Sequence, residues 1–384
     1  MKKVLVTATT LCHICHFHLP YLKEFAERGY EVHVAAYNNL DVKPGLELKY
    51  TDKLFDLPFS RSPLSPQNSK ARKQLKKIID AENYDLIICN TPICGVITRM
   101  AAKAARKRGT KVIYFAHGLH FYKGAPKKNW AIYYPLEKYY SKHCDGVITI
   151  NEEDFLLAKK KFKAPVYRIH GVGVDAERYY RMSDEARASK RNEMGFAHED
   201  FICLCVGELN DNKNQMQAIR AVECVAKLRP NIRLLIAGNG PKDAELKAYV
   251  SANGLENNIK FLGYCTNLQE YQNISDLGIS CSIREGLGLN VIEAMLSGNP
   301  FIATKNRGHN ELIENGVNGY LVDVGDSEEM AKAILRLIDD KDQYGEMQKN
   351  TVESMQKYTT SSTLEEMKNI LYGEIKNEKE CSGC

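Results

Sequence analysis

Short β-rich runs alternate with helix-patterned segments along the whole chain, and the alternation restarts halfway. Lys3–Thr9 (KVLVTAT), Glu31–Tyr37 (EVHVAAY), Leu86–Cys89, Lys111–Phe115 and Gly146–Ile150 read as strands. Between them lie helical stretches such as Pro20–Arg28, closed by Gly29 as a C-cap, and Gly95–Lys107. Strand–helix–strand repetition predicts a parallel sheet with crossover helices. A second set follows, with Phe201–Val206, Arg233–Ala237, Ile259–Leu262, Leu277–Cys281 and Pro300–Ala303 as strands and Asn214–Lys227 and Pro241–Ala252 as helices. Val166–Tyr180, with Gly171 and Gly173, marks the join. The fold class expected is α/β, with two doubly wound domains, 1–170 and 171–361, facing across a cleft. A last helical stretch, 362–376, is free to pack back on the first. Ligands of such sheets bind outside the C-terminal strand ends.

Composition narrows the function classes. The 384 residues are 44% hydrophobic and 26% charged, which excludes disordered, collagen-like and disulfide-scaffold chains. Net charge is +5 but unevenly placed: residues 1–180 hold 30 Lys and Arg against 17 Asp and Glu, and the remainder 23 against 31. A basic first half suits an anionic surface, and solvated helix faces are the plain alternative. The start MKKVLVTATT resembles a signal peptide weakly. Thr7, Thr9, Thr10 and His13 interrupt it, so a cytoplasmic protein is expected, lying against the inner face of the cytoplasmic membrane if it touches one. Most of the 12 cysteines sit in apolar runs and read as small buried hydrophobes. Two CxxC pairs, Cys12/Cys15 and Cys381/Cys384, raise zinc, the first beside His13, His16 and His18. A structural zinc site usually needs two such pairs, and the expectation is that no metal is bound.

The segment Ser282–Pro300 (SIREGLGLNVIEAMLSGNP) carries the most chemistry. A strand ends near Cys281, a loop with Gly286 and Gly288 follows, and a helix begins near Asn290. Bare backbone and a helix N-terminus offer N–H groups and partial positive charge to a diphosphate. Glu285 and Glu293, eight residues apart, suit sugar hydroxyls. The same residues also fit a structural role: Asn290 and Glu293 have capping-box spacing, and Glu285 can be a solvated loop residue.

Glu285-Gly-Leu-Gly-Leu…Glu293-Ala-Met resembles the E-x7-E signature of glycosyltransferase family four, retaining enzymes of the GT-B fold, whose two domains are Rossmann-like. The resemblance spans nearly the whole chain. It includes Val206-Gly-Glu-Leu with Lys213, Ala237-Gly-Asn-Gly-Pro241, Gly171-Val-Gly-Val-Asp175, and Ala116-His-Gly-Leu-His-Phe-Tyr-Lys-Gly-Ala-Pro126. The last looks like the branch that builds bacterial capsular and exopolysaccharides. The resemblance implies an acceptor-side first domain and a nucleotide-sugar-binding second domain. Glu293 would hold ribose hydroxyls, Glu285 would contact the donor sugar, and the amides of Gly286, Leu287, Gly288 and Leu289 would touch sugar and diphosphate. Lys213 would neutralise the diphosphate, Gly207 would let its loop approach, and His117 would lie across the cleft beside the donor sugar. The chain departs from the family at Glu208, where an Arg usually follows the glycine. Arg284 is a candidate replacement or an exposed surface residue. Lys213 also fits a solvated loop lysine, and His117 and His120 fit packing residues.

The implied chemistry is metal-independent transfer with no cofactor, the nucleotide sugar, expected to be UDP-linked, being a co-substrate. Asp339-Asp340 lies in a polar helix-to-loop stretch and does not read as a DxD metal motif. Basic runs at Lys70–Lys77, Lys103–Arg108, Lys123–Lys128 and Lys159–Lys163 point to an anionic membrane surface carrying a lipid-linked saccharide acceptor. Leu75, Ile78 and Ile79 lend the first run amphipathic character. No nucleic-acid module accompanies the charge. Two other readings remain at this stage: a sugar-nucleotide epimerase of the same fold, and a non-catalytic carbohydrate-binding protein. A nicotinamide dehydrogenase is disfavoured, because no GxGxxG follows the first strand.

Overall fold

The computed structural model describes residues 1–42 and 45–373; the Cys381/Cys384 pair and the end of the 362–376 helix lie outside them. The chain forms two compact units, Met1–Gly173 with the C-terminal segment from Thr360, and Val174–Thr359.

The first unit contains β1 (Lys3–Thr10), β2 (Glu31–Tyr37), β3 (Lys53–Asp56), β4 (Leu86–Asn90), β5 (Lys111–Ala116), β6 (Gly146–Thr149) and β7 (Val166–Arg168). They form one parallel sheet in the order β3-β2-β1-β4-β5-β6-β7. β4 (LIICN) is buried along its full length, as expected of a strand covered on both faces. The strand order reverses between β1 and β4, so the loops after these strands frame the place where such sheets bind ligands.

The second unit contains β8 (Phe201–Val206), β9 (Ile232–Ala237), β10 (Ile259–Gly263), β11 (Leu277–Ser280), β12 (Phe301–Thr304) and β13 (Gly319–Val322), all parallel, ordered β10-β9-β8-β11-β12-β13. Its reversal lies between β8 and β11. Cys203, Cys205 and Cys281 are buried here as small hydrophobes.

The structure refines several sequence expectations. A helix, Leu11–Phe17, starts directly after β1, so His13 and His16 sit on a helix. The stretch Gly95–Lys107 is two helices, Pro92–Ala101 and Lys103–Lys107. The join falls after Gly173, whose φ of +88° and approach to Thr360 leave no room for a side chain; a Cβ there would lie 2.6 Å from the Thr360 Cα. The Thr360–Tyr372 helix belongs to the first unit. Its Glu366 accepts from the His170 backbone N–H at 2.8 Å, its Lys368 pairs with Glu24, and the Leu371 carbonyl accepts from Lys111 Nζ. The run Lys70–Lys77 lies on the Gln67–Glu82 helix with Leu75 and Ile79 fully buried in the core. Its apolar stripe is therefore used by the fold, and only its cationic face is turned outward. Among the described residues no helix is long and apolar enough to cross a membrane.

Candidate active site

In the second unit the loops after β8 and β11, the two strands that flank the reversal, converge. Gly207 follows β8 directly, and a Cβ there would lie 3.1 Å from the Lys213 side chain, so bare backbone lets the lysine fold back across the strand end. Lys213 is held by its backbone N–H on Asn210 Oδ1 at 3.0 Å, and its Nζ reaches Glu285 Oε1 at 2.5 Å. The neighbouring loop is tied down by close backbone contact: a Cβ on Gly238 would sit 2.0 Å from the Gly207 carbonyl oxygen, and one on Gly240 2.3 Å from that of Leu209. These are the glycines of the Ala237–Pro241 motif. Glu208, at the position of the missing arginine, is exposed and accepts from Asn210.

After β11 the chain turns through Glu285–Gly288. Leu287 is buried and anchors the turn, and Gly288 takes φ +102° at the N-cap of the Leu289–Leu296 helix. No side chain caps that helix, so its first N–H groups are not satisfied by a neighbouring cap. Glu293 does not close the helix start. It lies within the helix, where it accepts from the Tyr179 hydroxyl and faces Arg178. Burial outweighs both and pushes its carboxyl up to about 7. Arg284 is exposed, and its carbonyl accepts from Asn212 Nδ2 at 3.1 Å.

The turn is braced from below by residues that the sequence reading missed. Asn306 caps the Arg307–Leu312 helix through its side-chain oxygen and donates to the Ser282 carbonyl at 2.8 Å. Arg307 Nε donates to the Glu285 carbonyl at 3.3 Å. Gly308 packs so closely that a Cβ would lie 2.7 Å from the Leu287 oxygen and 2.9 Å from the Glu285 Cβ. His309 is fully buried and donates from Nδ1 to the Thr304 carbonyl at 2.6 Å. Its burial lowers its pKa, so it packs as an uncharged ring.

A cavity of about 730 Å³ lies at the opposite, N-terminal ends of β8 and β11. Its Arg187 and Arg191 are already paired with Asp276, both at 2.6 Å, which accounts for these two cations structurally. Asp339 pairs with Arg229 and Asp340 caps the next helix, which accounts for that acidic pair structurally.

In the first unit His117 follows β5. It stacks on Phe115 at 4.7 Å between ring centres, and the rings of His13 and His18 meet it edge-on at 4.4 and 4.9 Å. Burial pushes all three imidazoles down, His13 to about 4. His120 is exposed and tilts against Tyr133, with 4.5 Å between ring centres. Cys12 and Cys15 are buried in the Leu11–Phe17 helix. Burial pushes the Cys15 thiol up to about 11, which opposes the thiolate form that zinc requires.

Comparison with known proteins follows the same division. The family model "Glycosyl transferases group 1" matches residues 186–356, and "Glycosyl transferase 4-like" matches residues 3–151. The Bacillus subtilis protein EpsD, assigned as a glycosyltransferase, is 42% identical over 371 residues, covering 96% of each chain. An Escherichia coli UDP-Gal:alpha-D-GlcNAc-diphosphoundecaprenol alpha-1,3-galactosyltransferase is 26% identical over 72% of each chain. The crystal structure of Anabaena Alr3699/HepE in complex with UDP superposes with a TM-score of 0.78 at 23% identity, covering 97% of this chain and 99% of that one. Family models over both sheets and a relative this similar over its full length leave one assignment: the chain belongs to glycosyltransferase family four, with the GT-B fold, and resembles the exopolysaccharide branch.

Proposed function

We propose that the chain is a retaining transferase. It would move a sugar from a nucleotide sugar, UDP-linked, to a lipid-linked saccharide acceptor at the inner face of the cytoplasmic membrane, in bacterial surface or exopolysaccharide synthesis. The observation that carries this reading is the convergence of Lys213 and Glu285 at a glycine turn followed by an uncapped helix N-terminus, at the sheet reversal of the second unit. The names of the E. coli relative and of the UDP complex support the choice of uridine diphosphate as carrier.

In this reading the bond between donor C1 and the diphosphate oxygen breaks while the acceptor oxygen bonds to C1 on the same face. The acceptor's proton passes to the departing diphosphate. Negative charge grows on that leaving group, where Lys213, the amides of Gly286 to Leu289 and the helix dipole would face it. No divalent ion is needed to stabilise it there, and no cofactor enters. Glu285 would accept from hydroxyls of the sugar and Glu293 from the ribose. Gly207 lets Lys213 lie close to the diphosphate. His117, in the first unit, would contact a hydroxyl of the donor sugar. Arg284, being exposed, is free to swing toward the diphosphate in place of the arginine absent at Glu208.

Membrane attachment would rest on the outward cationic face of the Gln67–Glu82 helix, each Lys or Arg near an anionic leaflet adding about 1 kcal/mol. Co-sedimentation with vesicles of phosphatidylglycerol at low salt tests this, and equal recovery on neutral vesicles would refute it. Nucleic acid is not a partner in this reading. A thermal-shift screen of nucleotide sugars tests the whole. Selective stabilisation by a UDP-sugar is the expected result. Inversion of a UDP-sugar at C2 without an acceptor would replace transfer by epimerisation. Absence of turnover with every donor that binds would leave a carbohydrate-binding protein.

A further inference from the structure

The proton arrangement around His117 can be read from its neighbours. His117 Nε2 lies 2.9 Å from His18 Nε2 and 3.2 Å from Asn90 Oδ1. Asn90 is fully buried, and its Nδ2 donates to the Thr7 carbonyl at 3.1 Å, which turns Oδ1 toward the histidine. An amide oxygen only accepts, so the proton belongs on His117 Nε2. The same N–H faces His18 Nε2, which must then be a lone pair, with the His18 proton on Nδ1. Burial first, and the adjacent imidazoles second, keep both rings uncharged. An uncharged ring protonated at Nε2 has one lone pair left, on Nδ1. Among the described residues no hydrogen bond occupies His117 Nδ1, and the residue is only half-buried.

A metal would be the other use of this cluster. His13, His18 and His117 place ligand nitrogens within 4.8 Å of one another, and His13 Nε2 is buried without a partner. An ion shared by His18 and His117 on their facing edges would need a lone pair on both Nε2 atoms. The Asn90 oxygen requires a proton on one of them.

We propose that Asn90 and His18 are positioning residues that hold His117 as the Nε2–H tautomer, so that its Nδ1 is presented as the acceptor for a hydroxyl of the transferred sugar. The hydroxyl's identity rests on the transferase reading; the tautomer does not. In this triad Asn90, fully buried, acts through His117.

The tautomer is read directly by long-range proton–nitrogen NMR on the full chain carrying 15N-histidine, with His117 assigned by its loss in His117→Gln. At pH 7.5 the expected pattern is a protonated Nε2 and a pyridine-like Nδ1. A protonated Nδ1, an imidazolium, or one zinc per chain that is lost in His18→Gln would overturn the proposal. Asn90→Leu should shift His117 toward the other tautomer. With the donor chosen by the thermal-shift screen, Asn90→Leu should lower kcat/KM by about tenfold or more while UDP affinity stays unchanged. Unchanged kcat/KM in a variant whose tautomer has shifted would overturn the hydroxyl role. The spectrum needs no substrate, so a failed tautomer refutes this inference alone, and a failed donor screen refutes the transferase reading alone.

Discussion

Glu293 supplies a quantitative test of the proposed donor site that needs no ligand. Its carboxyl is pushed from 4.5 up to about 7, by burial acting against Arg178 and Tyr179. A raised carboxyl pKa means that the folded state holds the proton more tightly than the unfolded chain. Stability is therefore greatest below the unfolded value and falls as pH rises toward 7. Linkage with these two values gives a cost of about 1 kcal/mol at pH 5.5 and about 3 kcal/mol at pH 8.5. Glu293→Gln keeps the shape and the acceptor for Tyr179 but cannot ionise. Its stability advantage should grow by about 2 kcal/mol between those pH values, or roughly 4–8 °C in the transition of a unit of this size. Calorimetry of the full chain and the variant at both pH values measures it. A melting difference that is the same at pH 5.5 and 8.5 would refute the assignment of Glu293 as a buried, charge-strained carboxylate. Such strain makes functional sense, because ribose hydroxyls arriving at the ionised carboxylate would supply the hydrogen bonds that burial removes.

Other variants separate the roles around the turn. Lys213→Met should leave the melting temperature within about 2 °C of wild type, since a pair this close to solvent contributes little stability. Donor turnover should nonetheless drop by about a hundredfold or more, in a coupled assay of UDP release. Gly308→Ala places a methyl group 2.7 Å from the Leu287 oxygen, so the Glu285–Gly288 turn must move. UDP affinity, measured by titration calorimetry, should weaken about tenfold, whereas Gly316→Ala, at a glycine with open space around it, should not affect it.

The sequence made both sheets legible because their central strands, covered by helices, are continuous runs of Val, Ile, Leu and Cys. β3, β7 and β13 were not recognised. They are only three or four residues long, and β3 lies at a sheet edge and is largely exposed, so no apolar run marks it. The Leu11–Phe17 helix was hidden because no capping residue announces it; Thr10 is still strand-like and makes no side-chain cap. The acidic pair and its glycines could be read because they share one segment. Tyr179, Arg307 and Gly308 could not, since each reaches the site from a distant part of the chain and is ordinary in composition. Asn90 and His18 are of the same kind. The apolar stripe of the Lys70–Lys77 run was legible as amphipathic but not as inward-facing, because periodicity gives the face and not the partner.

The Lys213–Glu285 pair sets a final constraint on how the site works. At 2.5 Å, with both side chains partly shielded from water, each group is the other's partner. In the proposed reading a donor would divide the pair's attention, its diphosphate taking the ammonium and its sugar hydroxyls the carboxylate. UDP without a sugar would then compete only for the lysine and leave the carboxylate with nothing to accept. Glu285→Gln removes that competition, so the free nucleotide should bind up to about fivefold more tightly, corresponding to about 1 kcal/mol for a pair of this exposure. The same variant should lose turnover of the complete donor, because the amide cannot accept from the hydroxyls as a carboxylate does. Opposite movements of UDP affinity and turnover would identify the pair as a lock opened by the whole donor. A parallel loss of both would show instead that Glu285 is needed to hold Lys213 in place, and the division of labour argued here would fall.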